Sequence, residues 1–296
     1  MNNMSRPGKM MAGFLSLIIL AGTAIFFDVS KSNGAEEKPW PTHVRMLYLP
    51  AMGKAATVKR FQPLTDHLAR SLHLPVEGIS VASYDDIFLP LAKGQFEVTW
   101  LAPLIYLDAA HYSPLEVVAL ELNRNGDRGY HSIFICRADR RIRSMAEARG
   151  KVIAFTEPKS TSGFLFPLMY VLKELKETPA SFAKKAVLAG DHDKVIRGVY
   201  EGLYDVGATN DMDMDRILKA ENIPPSSFRV IWTSELIPGL PVGVRSDLPK
   251  SFKSAVQKAL LEFNQDLEGI RALQIGGYSP ATAKDYESMR EPALLK

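Results

Sequence analysis

Three adjacent hydroxyl side chains, Ser160, Thr161 and Ser162, are followed by Gly163. Each hydroxyl can donate one hydrogen bond and rotate to aim it. Beside the unpaired N–H groups of a helix N-terminus, three of them can hold the oxygens of a tetrahedral anion without Lys or Arg. Gly163 lets a ligand approach the main chain closely. The same residues are also common helix caps, so they do not by themselves decide between ligand binding and capping. Bond-breaking chemistry finds less support. A serine hydrolase needs a nucleophile elbow and a base, and no Gly-x-Ser-x-Gly is present. Asp211, Asp213 and Asp215 copy the start of a calcium loop, but its sixth position is Arg216 and its twelfth Asn222, where Gly and Glu are needed. Asp191-His192-Asp193 is too sparse to specify zinc. No cofactor fingerprint is present, and the reading is a binding protein with no cofactor, not an enzyme.

The hydroxyl cluster needs a scaffold, and its surroundings supply one. In Lys151 to Leu175, the run Val152 to Phe155 predicts a buried strand, 157–163 a loop, and Phe164 to Leu175 a helix with Pro167 in or just after its first turn. The pattern recurs along the chain. Strands are predicted at 43–49, 76–82, 96–101, 116–120, 130–137, 186–188, 206–209, 229–232 and 241–245. Between them, Phe61, Leu64, Leu68 and Leu72 mark one amphipathic helix, and 84–93, 103–111 and 251–267 mark others. A short helix is expected at 278–289. Strand–helix alternation with short connections implies open α/β sheets, whose ligands bind beyond the carboxyl ends of strands. Tyr84, the 100–106 turn and the Ser160 cluster occupy such places, and Asn210 and Asp211 lie just past another strand. The stretches IFICRADRRI (133–142) and PVGVRSDLPK (241–250) look alike. Set side by side they would form a two-stranded hinge, with lobe one at 40–134 plus 245–296 and lobe two at 138–238.

Composition agrees with a globular domain pair. The 296 residues are 46% hydrophobic and 23% charged. Arg6 and Lys9 precede an apolar run from Met10 to Phe27 and a polar exit, the order of a secretory leader over 1–35 with cleavage near Ala35, or of an uncleaved anchor. Three cations against Asp28 give the leader +2 of the chain's +3. The remainder has no basic tract of the kind nucleic acid requires. The one cysteine, Cys136, sits in a predicted strand as a buried thiol, so no intrachain disulfide can form.

In order along the chain, FQPLTDHLARSL, VASYDDIFLPLAKGQFEVTWLAPLIYL, GKVIAFTEPKSTSGFLFP, AGDHDKVIRGVYEGLYDVGATN and IWTSELIPGLPVGVRSDLP carry a resemblance. The sequence resembles the phosphate, phosphite and phosphonate periplasmic binding proteins of ABC transporters, over nearly all of Val44 to Arg290. The resemblance implies a type II periplasmic-binding fold, two α/β lobes joined by a two-stranded hinge, closing on a small oxyanion as a monomer. It implies delivery to an ABC permease of the inner membrane, or, for a sensory member of the same fold, signalling to a membrane histidine kinase. The first loop, LPAMGKAA, lacks the Pro-Glu sequence associated with transporter members. By position, Ser160, Thr161 and Ser162 would hold the anion's oxygens. Tyr84 and Tyr106 would close from lobe one, and His192 from lobe two. Relatives that bind aminoalkyl phosphonates carry an acid where this chain has Leu240, in IPGLP. Asp211 or Asp213 could still supply a carboxylate. A buried ammonium without a partner is costly, so a small anion lacking a cationic tail is expected.

Overall fold

The computed structural model describes residues 38–109 and 111–294; the expected leader lies outside them. The chain runs through β1 (Val44–Tyr48), β2 (Val76–Ser80), β3 (Val98–Trp100) and β4 (Leu115–Leu122). It crosses to β5 (Gly129–Arg137), β6 (Val152–Phe155), β7 (Lys185–Leu188), β8 (Val206–Asn210) and β9 (Phe228–Pro238), then returns as β10 (Pro241–Arg245) and β11 (Gly277–Pro280). The helices are α1 (Lys54–Leu72), α2 (Phe88–Ala92), α3 (Pro103–Ala109), α4 (Phe166–Lys173), α5 (Pro179–Phe182), α6 (His192–Glu201), α7 (Asp211–Ala220), α8 (Lys250–Glu262), α9 (Leu267–Leu273) and α10 (Arg290–Ala293). The first sheet has the order β11-β4-β10-β3-β1-β2, and the second β7-β6-β8-β5-β9.

Each sheet is built on parallel pairs, β1 with β2 and β3, and β6 with β7 and β8. These pairs need crossover helices, which the sequence supplies at helical spacing. The stripe Phe61, Leu64, Leu68 and Leu72 of α1 is buried as its spacing requires. Phe61 lies between Tyr48 of β1 and Trp100 of β3, with ring centroids 4.5 and 4.6 Å away. Burying such a side chain stabilises the fold by about 1.5–3 kcal/mol. Cys136 is buried in β5, its thiol donating to the Ile142 carbonyl oxygen at 3.4 Å.

Three expectations need correction. The look-alike strands are not partners: β5 lies between β8 and β9, and β10 between β3 and β4. Each enters its sheet as an antiparallel member flanked on both sides, so neither has a free edge for the other. The two crossings between sheets are instead 123–128 and 239–240. They run together, Gly239 N donating to Arg128 O at 3.0 Å. Second, β5 pairs wholly within the second sheet, so residues 129–134 go with that sheet, not with lobe one. Third, Gly277–Pro280 is a strand against β4, and only Ala283–Met289 is helical, as a 3-10 segment. Tyr278 is buried by that pairing. Helix α7 also occupies a stretch for which no helix is expected. Its acidic first turn, Asp211 and Asp213, suits a helix N-terminus.

Candidate functional site

The site begins where β6 ends. Ser160 caps the following turn, its Oγ accepting from Gly163 N at 3.0 Å. Leu165 N donates to Ser160 O at 3.0 Å, a five-residue spacing that makes Thr161–Leu165 a π-helical turn. The α-helix therefore starts at Phe166, two residues later than the apolar spacing predicts. A Cβ on Gly163 would overlap the Thr156 side chain, so the glycine is required for packing. Ser132 Oγ of β5 donates to Ser162 O at 2.6 Å, fixing the turn against the sheet.

His192 opens α6 and Asn210 ends β8, and both reach this turn. His192 Nδ1 is hydrogen-bonded to Thr209 Oγ1 at 2.9 Å, and Nε2 lies 3.5 Å from Ser160 Oγ. Asn210 Nδ2 donates to Ser162 Oγ at 3.3 Å and to Asp213 Oδ2 at 2.8 Å, while its Oδ1 accepts from Asp213 N. Burial pushes the His192 imidazole below its ordinary value. Burial also opposes ionisation of Asp213, but the Arg216 and Arg60 cations and the Asn210 amide hold it well below the usual carboxylate range. The Asp191 carboxylate caps α6, accepting from Lys194 N at 2.8 Å, and Asp193 is paired with Arg216.

The hydroxyl turn, His192, Asn210 and Asp213 line a cavity of about 40 Å³ between the two sheets. Tyr84, Ser160, Thr161, Ser162, His192, Asn210 and Asp213, all named from the sequence, are in its wall, as is Leu240. Tyr106 and Asp211 are not. The Tyr106 ring packs on Tyr286, with centroids 5.1 Å apart. The Asp211 carboxylate accepts from His131 N at 3.0 Å and Met212 N at 2.9 Å. The structure adds Arg60, Glu121, Tyr130, Trp100 and Met212 to the wall. Arg60 adds a guanidinium to a wall whose hydroxyl turn does not by itself require one. Its neighbours in sequence read as a helix face and those of Glu121 as a strand, so no local signal marks either. Arg60 Nε and Nη2 donate to Leu273 O at 3.1 and 2.6 Å. Trp100 Nε1 donates to Glu121 Oε2 at 2.8 Å. Burial raises the Glu121 carboxyl to about 7 against the opposing pull of Arg60 and Trp100.

Bonds from one sheet's elements to the other's flank the cavity. Tyr84 N donates to Glu157 Oε2 at 3.0 Å and Leu104 N to Thr161 Oγ1 at 3.0 Å, and Lys159 Nζ lies 3.4 Å from Asp108 Oδ2. Leu104, Tyr130, Leu165, Phe166, Ile237 and Met289 form an apolar cluster between the same elements.

Two α/β sheets, two chain crossings and one small polar cavity between them define a periplasmic-binding-protein fold of type II. Comparison with known proteins agrees. Residues 46–286 match the family described as "ABC transporter, phosphonate, periplasmic substrate-binding protein", and the chain belongs to it. This is a family of substrate-binding transport proteins. The chain is 26% identical over 232 residues to the phosphate-import protein PhnD of Mycolicibacterium smegmatis, covering 75% of this chain and 71% of that protein. It is 25% identical over 244 residues to the phosphonates-binding periplasmic protein of Escherichia coli, covering 80% and 72%. Among solved structures, it is similar to PhnD1 of Prochlorococcus marinus in complex with methylphosphonate. There the TM-score is 0.75 at 20% identity, over 86% of this chain and 98% of that one.

Proposed function

We propose that this chain captures a small phosphorus oxyanion (phosphonate, phosphite or phosphate) in the cavity between its sheets and delivers it to an ABC permease. The observation that carries this reading is the convergence of the Ser160-Thr161-Ser162 turn, His192 and Tyr84 on one small cavity of about 40 Å³. Hydroxyls and backbone N–H groups there would replace the anion's hydration shell, and exclusion of water would strengthen each bond. A cavity of that size suits a small tetrahedral anion better than one with a large substituent. Leu240 in the wall offers an ammonium group no partner, and the wall's two carboxyl groups are already engaged, Asp213 by Arg216 and Asn210 and Glu121 by Trp100. Methylphosphonate is therefore favoured over 2-aminoethylphosphonate. The protein acts as a monomer in the periplasm, exported by the leader at 1–35, and carries out no bond-breaking step.

The test is calorimetry on the purified chain, dialysed free of phosphate, against phosphate, phosphite, methylphosphonate, 2-aminoethylphosphonate and sulfate. Micromolar or tighter binding of a phosphorus anion, lost in a Ser160→Ala/Thr161→Ala/Ser162→Ala variant that keeps its circular dichroism spectrum, is the expected result. Silence across the phosphorus anions from folded protein would overturn the reading. Tighter binding of 2-aminoethylphosphonate than of methylphosphonate would overturn the exclusion of a cationic tail.

A further inference from the structure

His192 turns Nε2 toward the hydroxyl turn, and what that nitrogen offers an anion depends on where the ring carries its proton. A neutral imidazole has one N–H and one lone pair. As N–H, Nε2 donates to an anionic oxygen; as a lone pair, it repels one. The choice is made on the far side of the ring, by the partner of Nδ1. Three groups approach that atom. Thr209 Oγ1 of β8 lies 2.9 Å away, Asn210 Nδ2 3.3 Å and Asp213 Oδ2 3.9 Å. Thr209 is fully buried and is not in the cavity wall. The other charged groups around the ring are engaged elsewhere, Asp191 with α6 and Asp193 with Arg216.

Hydrogen-bond accounting decides between the tautomers. Asn210 Oδ1 accepts from Asp213 N, so the atom it turns toward the ring is the amide nitrogen, which only donates. Among the described residues, Thr209 Oγ1 has no hydrogen-bond partner besides His192. If Nδ1 carried the proton, Thr209 would accept it, and its own buried hydroxyl hydrogen would be left without an acceptor, a costly arrangement. With Thr209 donating to Nδ1, both groups are satisfied and the ring proton stands on Nε2. Burial holds the imidazole below its ordinary value, which keeps that ring neutral.

We propose that Thr209 is a positioning residue for anion capture: its hydroxyl donates to His192 Nδ1 and holds the ring as the Nε2–H tautomer, so that a neutral imidazole meets the captured oxyanion as a donor. Without that hydroxyl, Asp213 Oδ2 is the acceptor at hand for a proton on Nδ1, and Nε2 then turns its lone pair toward the anion.

This inference rests on the oxyanion reading of the cleft, and the experiment separates the two. Tautomers are read by long-range nitrogen–proton correlation NMR, in which protonated and unprotonated ring nitrogens resonate apart. The His192 signals are those absent from His192→Gln. Methylphosphonate affinity is measured on the same proteins by calorimetry. The native protein is expected to carry the proton on Nε2, both free and with methylphosphonate. In Thr209→Val, which keeps the shape and loses the hydroxyl, a signal from protonated Nδ1 should appear and affinity should fall about tenfold. Thr209→Ser, which restores the hydroxyl, should recover the native tautomer and an affinity within about twofold of native. A proton on Nδ1 in the native protein overturns the proposal. So does a Thr209→Val protein in which either the tautomer or the affinity is unchanged. If Thr209→Val does not fold, Thr209→Ala takes its place, and if neither folds the native tautomer decides alone. Failure of the native protein to bind methylphosphonate, phosphite or phosphate overturns the oxyanion reading itself, whatever the tautomer, and the role of Thr209 with it.

Discussion

Ser160 combines two jobs in one oxygen. It caps the π-turn through Gly163 N and stands 3.5 Å from His192 Nε2. Ser160→Ala should therefore lower both stability, by about 1 kcal/mol for the lost cap, and anion affinity, by at least tenfold. Thermal melting and calorimetry on the same sample check the pair. His192 gives a pH signature. Burial lowers its folded-state value, so protonation favours the unfolded chain. Its contribution is present above the unfolded value of about 6.5 and is lost as pH falls through the lower folded value. The melting temperature should drop between pH 7 and pH 5, and drop less in His192→Gln. An equal drop in both proteins would assign the acid sensitivity elsewhere. Asp213, held low, acts in the same direction but in a more acidic range: its stabilisation is lost only below the ordinary carboxylate value.

At the scale of elements, the site depends on two close approaches that exclude side chains. Gly163 lies against Thr156, and Gly239 against the Glu121 carbonyl at the crossing between sheets. Neither position has left-handed backbone; both are glycine because a Cβ would collide. Gly163→Ala is expected to cost about 1–3 kcal/mol, by analogy with overpacking, and to displace the turn that carries the hydroxyls. The melting temperature and the methylphosphonate affinity should fall together. The bonds across the cleft make a separate prediction. Glu157 holds Tyr84 N from the other side and does not line the cavity. Glu157→Gln weakens a charge-assisted bond of the closed form, so it should raise the ligand dissociation rate about tenfold while leaving the association rate within twofold. Stopped-flow intrinsic fluorescence would read both. An unchanged dissociation rate would show that the bond does not support closure.

For the whole molecule, the described residues are one compact unit, although two sheets build it. Ligand seated between the sheets would tie them further. Anything that binds the native state alone stabilises it by mass action, by about 2.7 kcal/mol at a hundredfold excess over Kd. For a chain of this size that is about 5–10 °C in melting temperature. Methylphosphonate or phosphite at such an excess should raise Tm by that amount. A shift of less than 1 °C with both would count against binding between the sheets. Among the described residues no helix is long and apolar enough to cross a membrane.

Much of this protein is legible in its residues taken in order. Helical and strand spacing mark α1, β1, β6 and β10 because each buries one face or a short apolar run, and burial leaves a period in the sequence. The hydroxyl turn, His192, Asn210 and Leu240 are legible because they sit where strands or helices end, the places where open α/β sheets present ligand sites. What the local pattern lacks is pairing. Whether β5 lies beside β10 or beside β8 and β9 depends on partners a hundred or so residues away, and look-alike stretches say nothing about which edges are free. For the same reason Arg60 and Glu121 stayed hidden: each is one polar residue in an apolar helix face or strand, and only the packing of α1, β4 and α7 around a common space brings their charges into the cavity. Tyr106 and Asp211 show the converse. Their positions in sequence suit the site, but tertiary neighbours, Tyr286 for the one and two backbone N–H groups for the other, engage them elsewhere. Sequence determined which segments fold locally and which residues stand at the ends of strands and helices; tertiary structure decided which side chains line the cavity, because a cavity is made by distant segments meeting.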